Sequence, residues 1–240
     1  MSEEFGTQTP YIDHAPAVTD GFASIEFAEN PEPRVPCLLL LDTSGSMSGS
    51  PISELNAGVR LFKEELMTDS LAAKRVELAI VTFGSTPVVV QEFIGAEAFE
   101  PPTLYAGGTT SMGAAIEEGL RQLATRKRMY QQNGVSYYRP WVFLITDGSP
   151  TDEVMNAARL VRDGEAAKAF SFYGVGAGGQ VNFPLLNAIC PAERPAVSLQ
   201  GLRFKELFSW LSKSMSSVSR SAQGTTAALP APTGWITAAT

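Results

Sequence analysis

The sequence predicts an α/β protein built on a doubly wound, mostly parallel sheet with helices on both flanks. The first observation is that strand-like and helix-like segments alternate along the chain from Val35 onward. The second is that most strand-like segments are nearly continuous apolar runs, which is typical of strands buried on both faces. Strands and helices that alternate in this way pack as a parallel sheet with crossover helices on both sides.

Five strands are predicted from these apolar runs. The first run, Cys37-Leu38-Leu39-Leu40-Leu41, leads directly into Asp42. The fourth run ends at Thr146 and is followed by the turn residues Asp147 and Gly148. The five predicted strands cover residues 37–42, 76–83, 88–93, 141–146 and 169–175.

Five helices are predicted from apolar residues that recur at steps of three and four. In the first helix this series runs from Ile52 to Leu66, and Pro51 suits the first helical turn. In the last helix the apolar side extends from Phe204 to Val218. The five predicted helices cover residues 51–67, 111–126, 152–168, 183–189 and 204–218.

The two ends of the chain differ in composition from the segment between them. Residues 1–34 carry scattered prolines and acids with little periodicity, so we interpret them as an N-terminal arm or edge extension. Residues 35–218 are predicted to form the domain. Residues 219–240 are rich in Ser, Thr, Ala and Pro, which predicts a loosely held C-terminal tail. Trp235 and Ile236 are the residues that could attach this tail to the domain.

Composition argues against several kinds of site and partner. A formal net charge of −7 argues against nucleic acid as the main partner. His14 is the sole histidine, so we expect neither a zinc site with several imidazoles nor a histidine-dependent catalytic triad. No apolar stretch is long enough to cross a membrane, and the first residues lack the apolar region of a signal peptide. Cys37 and Cys190 lie in apolar segments and are interpreted as reduced core thiols, which indicates a cytoplasmic protein.

A short polar motif follows the first predicted strand. In Asp42-Thr43-Ser44-Gly45-Ser46, one carboxylate and two hydroxyls stand at alternate positions and can point at one spot. These side chains offer only oxygen, which suits Mg²⁺, Mn²⁺ or Ca²⁺ rather than zinc or copper. An ordinary turn uses the same residue types, so the motif alone does not decide between a turn and a metal site.

Two further loops carry oxygen ligands to the same end of the sheet. The loop of residues 107–111, Gly-Gly-Thr-Thr-Ser, opens the second helix, and the loop of residues 146–150, Thr-Asp-Gly-Ser-Pro, leaves the fourth strand. Functional loops of a doubly wound sheet gather at the carboxyl ends of the strands. The three loops together therefore predict one metal site on this rim.

These loops resemble the metal-ion-dependent adhesion site of von Willebrand factor A domains, and the resemblance covers about residues 35–218. It implies a Rossmann-like fold in which the serines bind the metal directly, the threonine does so in some states and the aspartates often act through water. We choose Thr109 over Thr110 because the family's threonine stands four residues before a small residue, here Gly113. The expected metal is Mg²⁺, with Mn²⁺ or Ca²⁺ also suitable. The implied metal residues are Asp42, Ser44, Ser46, Thr109 and Asp147.

The resemblance also implies a function. A partner protein would supply an Asp or Glu side chain to an open position on the metal, so the chain is expected to be a protein-binding module and not an enzyme. Within the family, residues 38–47 and 144–152 are similar to a bacterial cytoplasmic branch that includes the TerY-like tellurite-resistance proteins. That similarity suggests kinase-like or phosphatase-like partners, or a place in a multi-protein stress-response assembly.

Two alternatives stay open at this point. Asp42 could be the nucleophile of a metal-dependent hydrolase or phosphatase, although Ser44 stands where such an enzyme usually has a second carboxylate. Residues 126–139 interleave arginine with tyrosine at the opposite end of the sheet. They form either a helix end with a return loop or a docking surface for a partner.

Overall fold

A computed structural model describes residues 7–8, 27, 30–222 and 227–238. Most of the predicted arm, including His14, lies outside the described residues. The strands are β1 Thr7–Gln8, β2 Val35–Asp42, β3 Val76–Phe83, β4 Pro87–Gly95, β5 Trp141–Thr146, β6 Ser171–Ala177, β7 Val197–Leu199, β8 Ala227–Ala228 and β9 Ile236–Ala238. The α-helices are α1 Ser50–Met67, α2 Ser70–Arg75, α3 Met112–Gln132, α4 Met155–Ala166, α5 Phe183–Ile189 and α6 Phe204–Arg220.

The main sheet has seven strands in the order β4-β3-β2-β5-β6-β7-β9. The five strands from β3 to β7 in this order are parallel, and the two edge strands β4 and β9 run antiparallel to their neighbours. The predicted doubly wound, mostly parallel sheet is therefore confirmed. No helix within the described ranges is both long and apolar enough to cross a membrane.

The core consists of two apolar layers, one on each face of the sheet, because successive side chains of a strand point to opposite faces. Leu39 and Leu41 of β2 pack in the layer beneath α1 and α6. Leu38 and Leu40, the alternate residues of the same strand, pack in the layer beneath α3, α4 and α5. Every residue of β2 is buried, which explains the unbroken apolar run in the sequence.

Helix α3 is longer than predicted and ends at Gln132, so the predicted end at residue 126 is wrong. The basic residues after Thr125 indicated a helix C-terminus, but Arg126 is buried and donates a hydrogen bond of 2.7 Å to Glu77. Tyr137 and Tyr138 are also buried, at 1% and 2% exposure. The segment thus packs into the core. Tyr137 and Tyr138 are therefore not available for the docking surface that the sequence left open as an alternative.

Short elements near the C-terminus were absent from the prediction. Strand β7 has three residues and pairs with β9, which places residues 236–238 of the predicted tail in the sheet. Trp235 is buried in the core layer that contains α6, and Ile236 packs against the same layer. Trp210 of α6 donates a hydrogen bond of 2.7 Å to the carbonyl oxygen of Pro230. The two residues suggested as attachment points therefore pack on the domain.

The strand order places the predicted metal loops together. From β2 the chain winds outward to β3 and β4, and it then returns to the other side of β2 as β5. The loops after β2 and β5 consequently leave adjacent strands at a topological switch point, where open α/β sheets bind ligands.

Candidate metal centre

Asp42 is the buried end of the site. It is the last residue of β2, and its side chain is inaccessible to solvent. One carboxylate oxygen, Oδ1, accepts the backbone N–H of Ser44 at 2.8 Å. The other, Oδ2, accepts the hydroxyl of Thr146, the last residue of β5, at 2.6 Å. These two bonds fix the orientation of the carboxylate from two neighbouring loops.

A line of hydrogen bonds connects Ser44, Ser46 and Asp147. The Oγ atoms of the two serines are 3.0 Å apart, and Ser46 Oγ donates to Asp147 Oδ1 at 2.6 Å. Because the Ser46 proton is used on Asp147, Ser44 is the donor between the serines. Asp42 and Ser44 are buried, whereas Ser46 is exposed. The cluster therefore opens toward solvent on the Ser46 side.

The two carboxylates repel each other in the absence of a cation. Burial raises the pKa of Asp147, the hydrogen bond from Ser46 lowers it, and the negative charge of Asp42 raises it further, with a net upward shift. A cation between the two groups would favour their ionised forms. The electrostatics of the site thus match a cation-binding role.

The loop of residues 107–111 is attached to the first motif through backbone hydrogen bonds. Gly45 N–H donates to the carbonyl oxygen of Gly108 at 3.0 Å, and Gly107 N–H donates to that of Thr43 at 2.7 Å. Thr109 follows in this loop with an exposed side chain, and its N–H donates to Ser85 Oγ at 3.3 Å. Its neighbour Thr110 is buried. The structure thus places Thr109 beside the serine loop, and among the hydrogen bonds of the described residues none joins its hydroxyl to the other four predicted ligands.

Two residues support the site without having been predicted. Thr146 orients Asp42, as described above. Asp152 accepts the backbone N–H groups of Gly113 and Ala114 at 3.1 and 2.9 Å, which caps the start of α3 and joins the third loop to the second. In the sequence, Asp152 is only an acid that follows Ser-Pro-Thr. That pattern is too common to show that its carboxylate caps a helix distant in the chain.

The donor set fits a hard divalent cation. Neighbouring ligands of octahedral Mg²⁺ lie about 3 Å apart when each is 2.0–2.1 Å from the metal. The two serine Oγ atoms, which are hydrogen-bonded to each other here, are 3.0 Å apart and so already have a separation compatible with that spacing. In the part of the chain that the structure describes, no three or more His, Cys, Asp or Glu side chains lie together so that they could hold a metal ion. The candidate site accordingly combines two carboxylates with serine hydroxyls.

The sequence profile of the von Willebrand factor type A domain matches residues 38–208. This range contains all five predicted metal residues and most of the main sheet. The chain belongs to the von Willebrand factor type A domain family. No curated protein sequence matches this A domain.

Solved structures show the same fold at low sequence identity. A von Willebrand factor type A protein from Catenulispora acidiphila is 16% identical with a TM-score of 0.60, and the match covers 88% of this chain and 51% of that protein. The pilus adhesin SpaC from Lactobacillus rhamnosus GG is 13% identical with a TM-score of 0.60, over 79% of this chain and 32% of the adhesin.

A third match is proximal thread matrix protein 1 from the mussel byssus, in a structure whose metal-ion-dependent adhesion site (MIDAS) motif is occupied by zinc. It is 17% identical with a TM-score of 0.52, over 79% of this chain and 46% of the mussel protein. The A domain described here thus spans about half or less of each of these proteins.

Proposed function

We propose that this A domain is a divalent-metal-dependent protein-binding module. The metal would be held by Asp42, Ser44, Ser46, Thr109 and Asp147, and its open position would take an Asp or Glu side chain of a partner protein. The observation that carries the proposal is the hydrogen-bonded cluster in which Ser44 and Ser46 link toward Asp147 beside a buried Asp42. A divalent cation there supplies electrophilic attraction for an incoming carboxylate.

The residues of the chain have separate tasks in this proposal. Asp42 and Asp147 bring two negative charges, which balance the charge of one divalent cation. Ser44 and Ser46 add neutral oxygens, so the cation keeps its attraction for an anion. The exposure of Ser46 leaves one side of the cluster open to a partner. A carboxylate arriving from solvent can reach the site on that side.

The proposal favours binding over catalysis. Asp42 is fully buried, and each of its oxygens already accepts a hydrogen bond, which suits holding a cation through water better than attack on the phosphorus atom of a substrate. Metal-dependent phosphate release from p-nitrophenyl phosphate that disappears in Asp42→Asn would instead establish the hydrolase. The TerY-like branch, the kinase-like or phosphatase-like partners and the cytoplasmic location remain predictions from sequence.

Metal binding can be tested by thermal unfolding in EDTA, Mg²⁺, Mn²⁺ and Ca²⁺. A metal that binds the folded state adds about 2.7 kcal/mol of stability at a concentration of 100 times its Kd. Asp42→Ala should abolish this gain, whereas Ser53→Ala, on the exposed face of α1, should preserve it. Identical unfolding of the wild type in EDTA and in all three metals would refute the metal site.

The threonine assignment needs its own pair of variants. Thr109→Ala should reduce the metal-dependent gain, and Thr110→Ala is the matched control one residue away. The opposite result would transfer the ligand role to Thr110, whose side chain is buried at this loop. Capture of a partner from cell extract in Mg²⁺, and its loss in EDTA, tests the binding function itself. A complex that survives EDTA would contradict it.

A further inference from the structure

A groove lies directly beside the proposed metal site. It has a volume of about 430 Å³ and runs between β4 and the segment of residues 103–108. Its apolar lining includes Val88, Val90 and Tyr105, and it shares Thr43 and Gly107 with the loops of the metal site. Thr43 stands between Asp42 and Ser44 in the sequence, so one wall of the groove begins next to two proposed ligands.

Most of the large apolar side chains that are exposed in the described part of the chain line this groove. Five such side chains are exposed, and three of them, Val88, Val90 and Tyr105, line this groove. Tyr105 is 81% exposed and Val88 is 50% exposed. Tyrosine is enriched among the residues that carry binding energy at protein interfaces, and clustered exposed apolar groups mark such surfaces.

The lack of charged residues also distinguishes the groove from the acidic molecule around it. The chain has a formal net charge of −7, yet none of the residues that line the groove is charged. The remaining lining consists of threonine, serine, glycine and leucine. A charged side chain placed there would lose hydration without finding a counter-charge, whereas an aliphatic or aromatic side chain would gain from burial.

We propose that this groove receives an aliphatic or aromatic side chain of the same partner segment that gives its Asp or Glu to the metal. The inference rests on the proposed function and adds to it the chemistry of the partner segment. Because the groove shares Thr43 and Gly107 with the metal loops, the apolar residue should stand close to the acid in the sequence of the partner segment. The partner motif is therefore an acid with an uncharged, apolar neighbour.

A displayed library of random 12-residue peptides tests both contacts at once. The library is selected on the full chain in Mg²⁺, and bound peptides are eluted with EDTA. We expect the eluted peptides to contain Asp or Glu together with Leu, Ile, Phe or Trp at a preferred spacing. An acid without any preference for an apolar neighbour, or with a basic neighbour, would overturn the groove assignment and leave the metal function standing.

Variants separate the groove from the metal site. The double variant Val90→Thr with Tyr105→Ser should weaken the best selected peptide by about tenfold, as expected for loss of an interface anchor. It should keep its Mg²⁺-dependent rise in melting temperature. Met67→Ser removes an exposed apolar side chain at the far end of α1 and should change neither quantity. Unchanged peptide affinity in the double variant would refute the groove, and the absence of any EDTA-eluted peptide would refute the proposed function together with it.

Discussion

The hydrogen bond from Thr146 to Asp42 offers a direct test of how the site is built. The hydroxyl donates to a carboxylate oxygen at 2.6 Å, and both side chains are at most 1% exposed. Thr146 Oγ1 also accepts the backbone N–H of Gly148 at 3.2 Å. Thr146→Val keeps the shape of the side chain and replaces the hydroxyl by a methyl group. The substitution therefore removes two hydrogen bonds without opening a cavity.

The expected loss of stability follows from the charge and burial of Asp42. A hydrogen bond to a charged group contributes about 1.5–3 kcal/mol, and a buried group that loses its partner is not rehydrated. We therefore expect Thr146→Val to lower the free energy of unfolding by about 3 kcal/mol. Thr146→Ser keeps the donor and loses one methyl group, so it should cost only about 1 kcal/mol.

Urea unfolding in EDTA measures this difference without a contribution from metal. The midpoint of Thr146→Val should fall below that of Thr146→Ser by about 1 M, using a slope of about 2 kcal/mol per molar urea. Circular dichroism at low urea verifies that both variants are folded. If the two variants unfold at the same urea concentration, Thr146 does not orient Asp42 and the description of the buried end of the site is wrong.

Three further predictions concern other parts of the domain. In EDTA near pH 7, Asp147→Asn should raise the melting temperature, because burial raises the pKa of Asp147 and its ionised form opposes folding above that pKa. The gain in melting temperature should shrink as the pH falls through the pKa of Asp147. A gain that is constant with pH would contradict this prediction. Glu77→Gln leaves two buried arginines without their shared carboxylate and should cost about 3–5 kcal/mol in urea unfolding, against less than about 1 kcal/mol for Glu118→Gln in a more exposed pair. Gly113→Ala would place a Cβ 2.1 Å from the carbonyl oxygen of Glu153, so it should lower the melting temperature and the response to Mg²⁺, while Gly95→Ala, with open space around it, should do neither.

The fold was predictable wherever burial alone fixes an element. Strands β3 and β5 were predicted with the bounds they have in the structure, because both are nearly continuous apolar runs buried on both faces. The end of α3 was not predictable in this way. Arg126 resembles a basic residue at a helix C-terminus, but in the structure it is buried against Glu77 of β3 and the rings of Phe27 and Tyr130, within a helix that continues to Gln132.

The short elements depend on their neighbours in space. Strand β7 has three residues, too few for a periodic pattern, and it is a strand because β6 and β9 hydrogen-bond to it. Residues 236–238 have the composition of a tail and join the sheet through the same pairing. Such segments acquire their structure from tertiary contacts rather than from their own sequence.

For the candidate site too, the sequence and the tertiary contacts specify different features. The sequence was enough to identify the candidate oxygen ligands, since Asp42 ends a buried strand and Ser44, Ser46 and Asp147 stand in loops that directly follow buried strands. Tertiary contacts set how these side chains are held, because one of the two hydrogen-bond donors to Asp42 is Thr146, 104 positions away, which the pairing of β2 with β5 brings near. Tertiary contacts also form the uncharged groove, whose residues come from three separate stretches of the chain, at residue 43, residues 82–90 and residues 103–108. A local pattern can specify chemistry that one loop carries, but contacts between distant segments exist only after the sheet has formed.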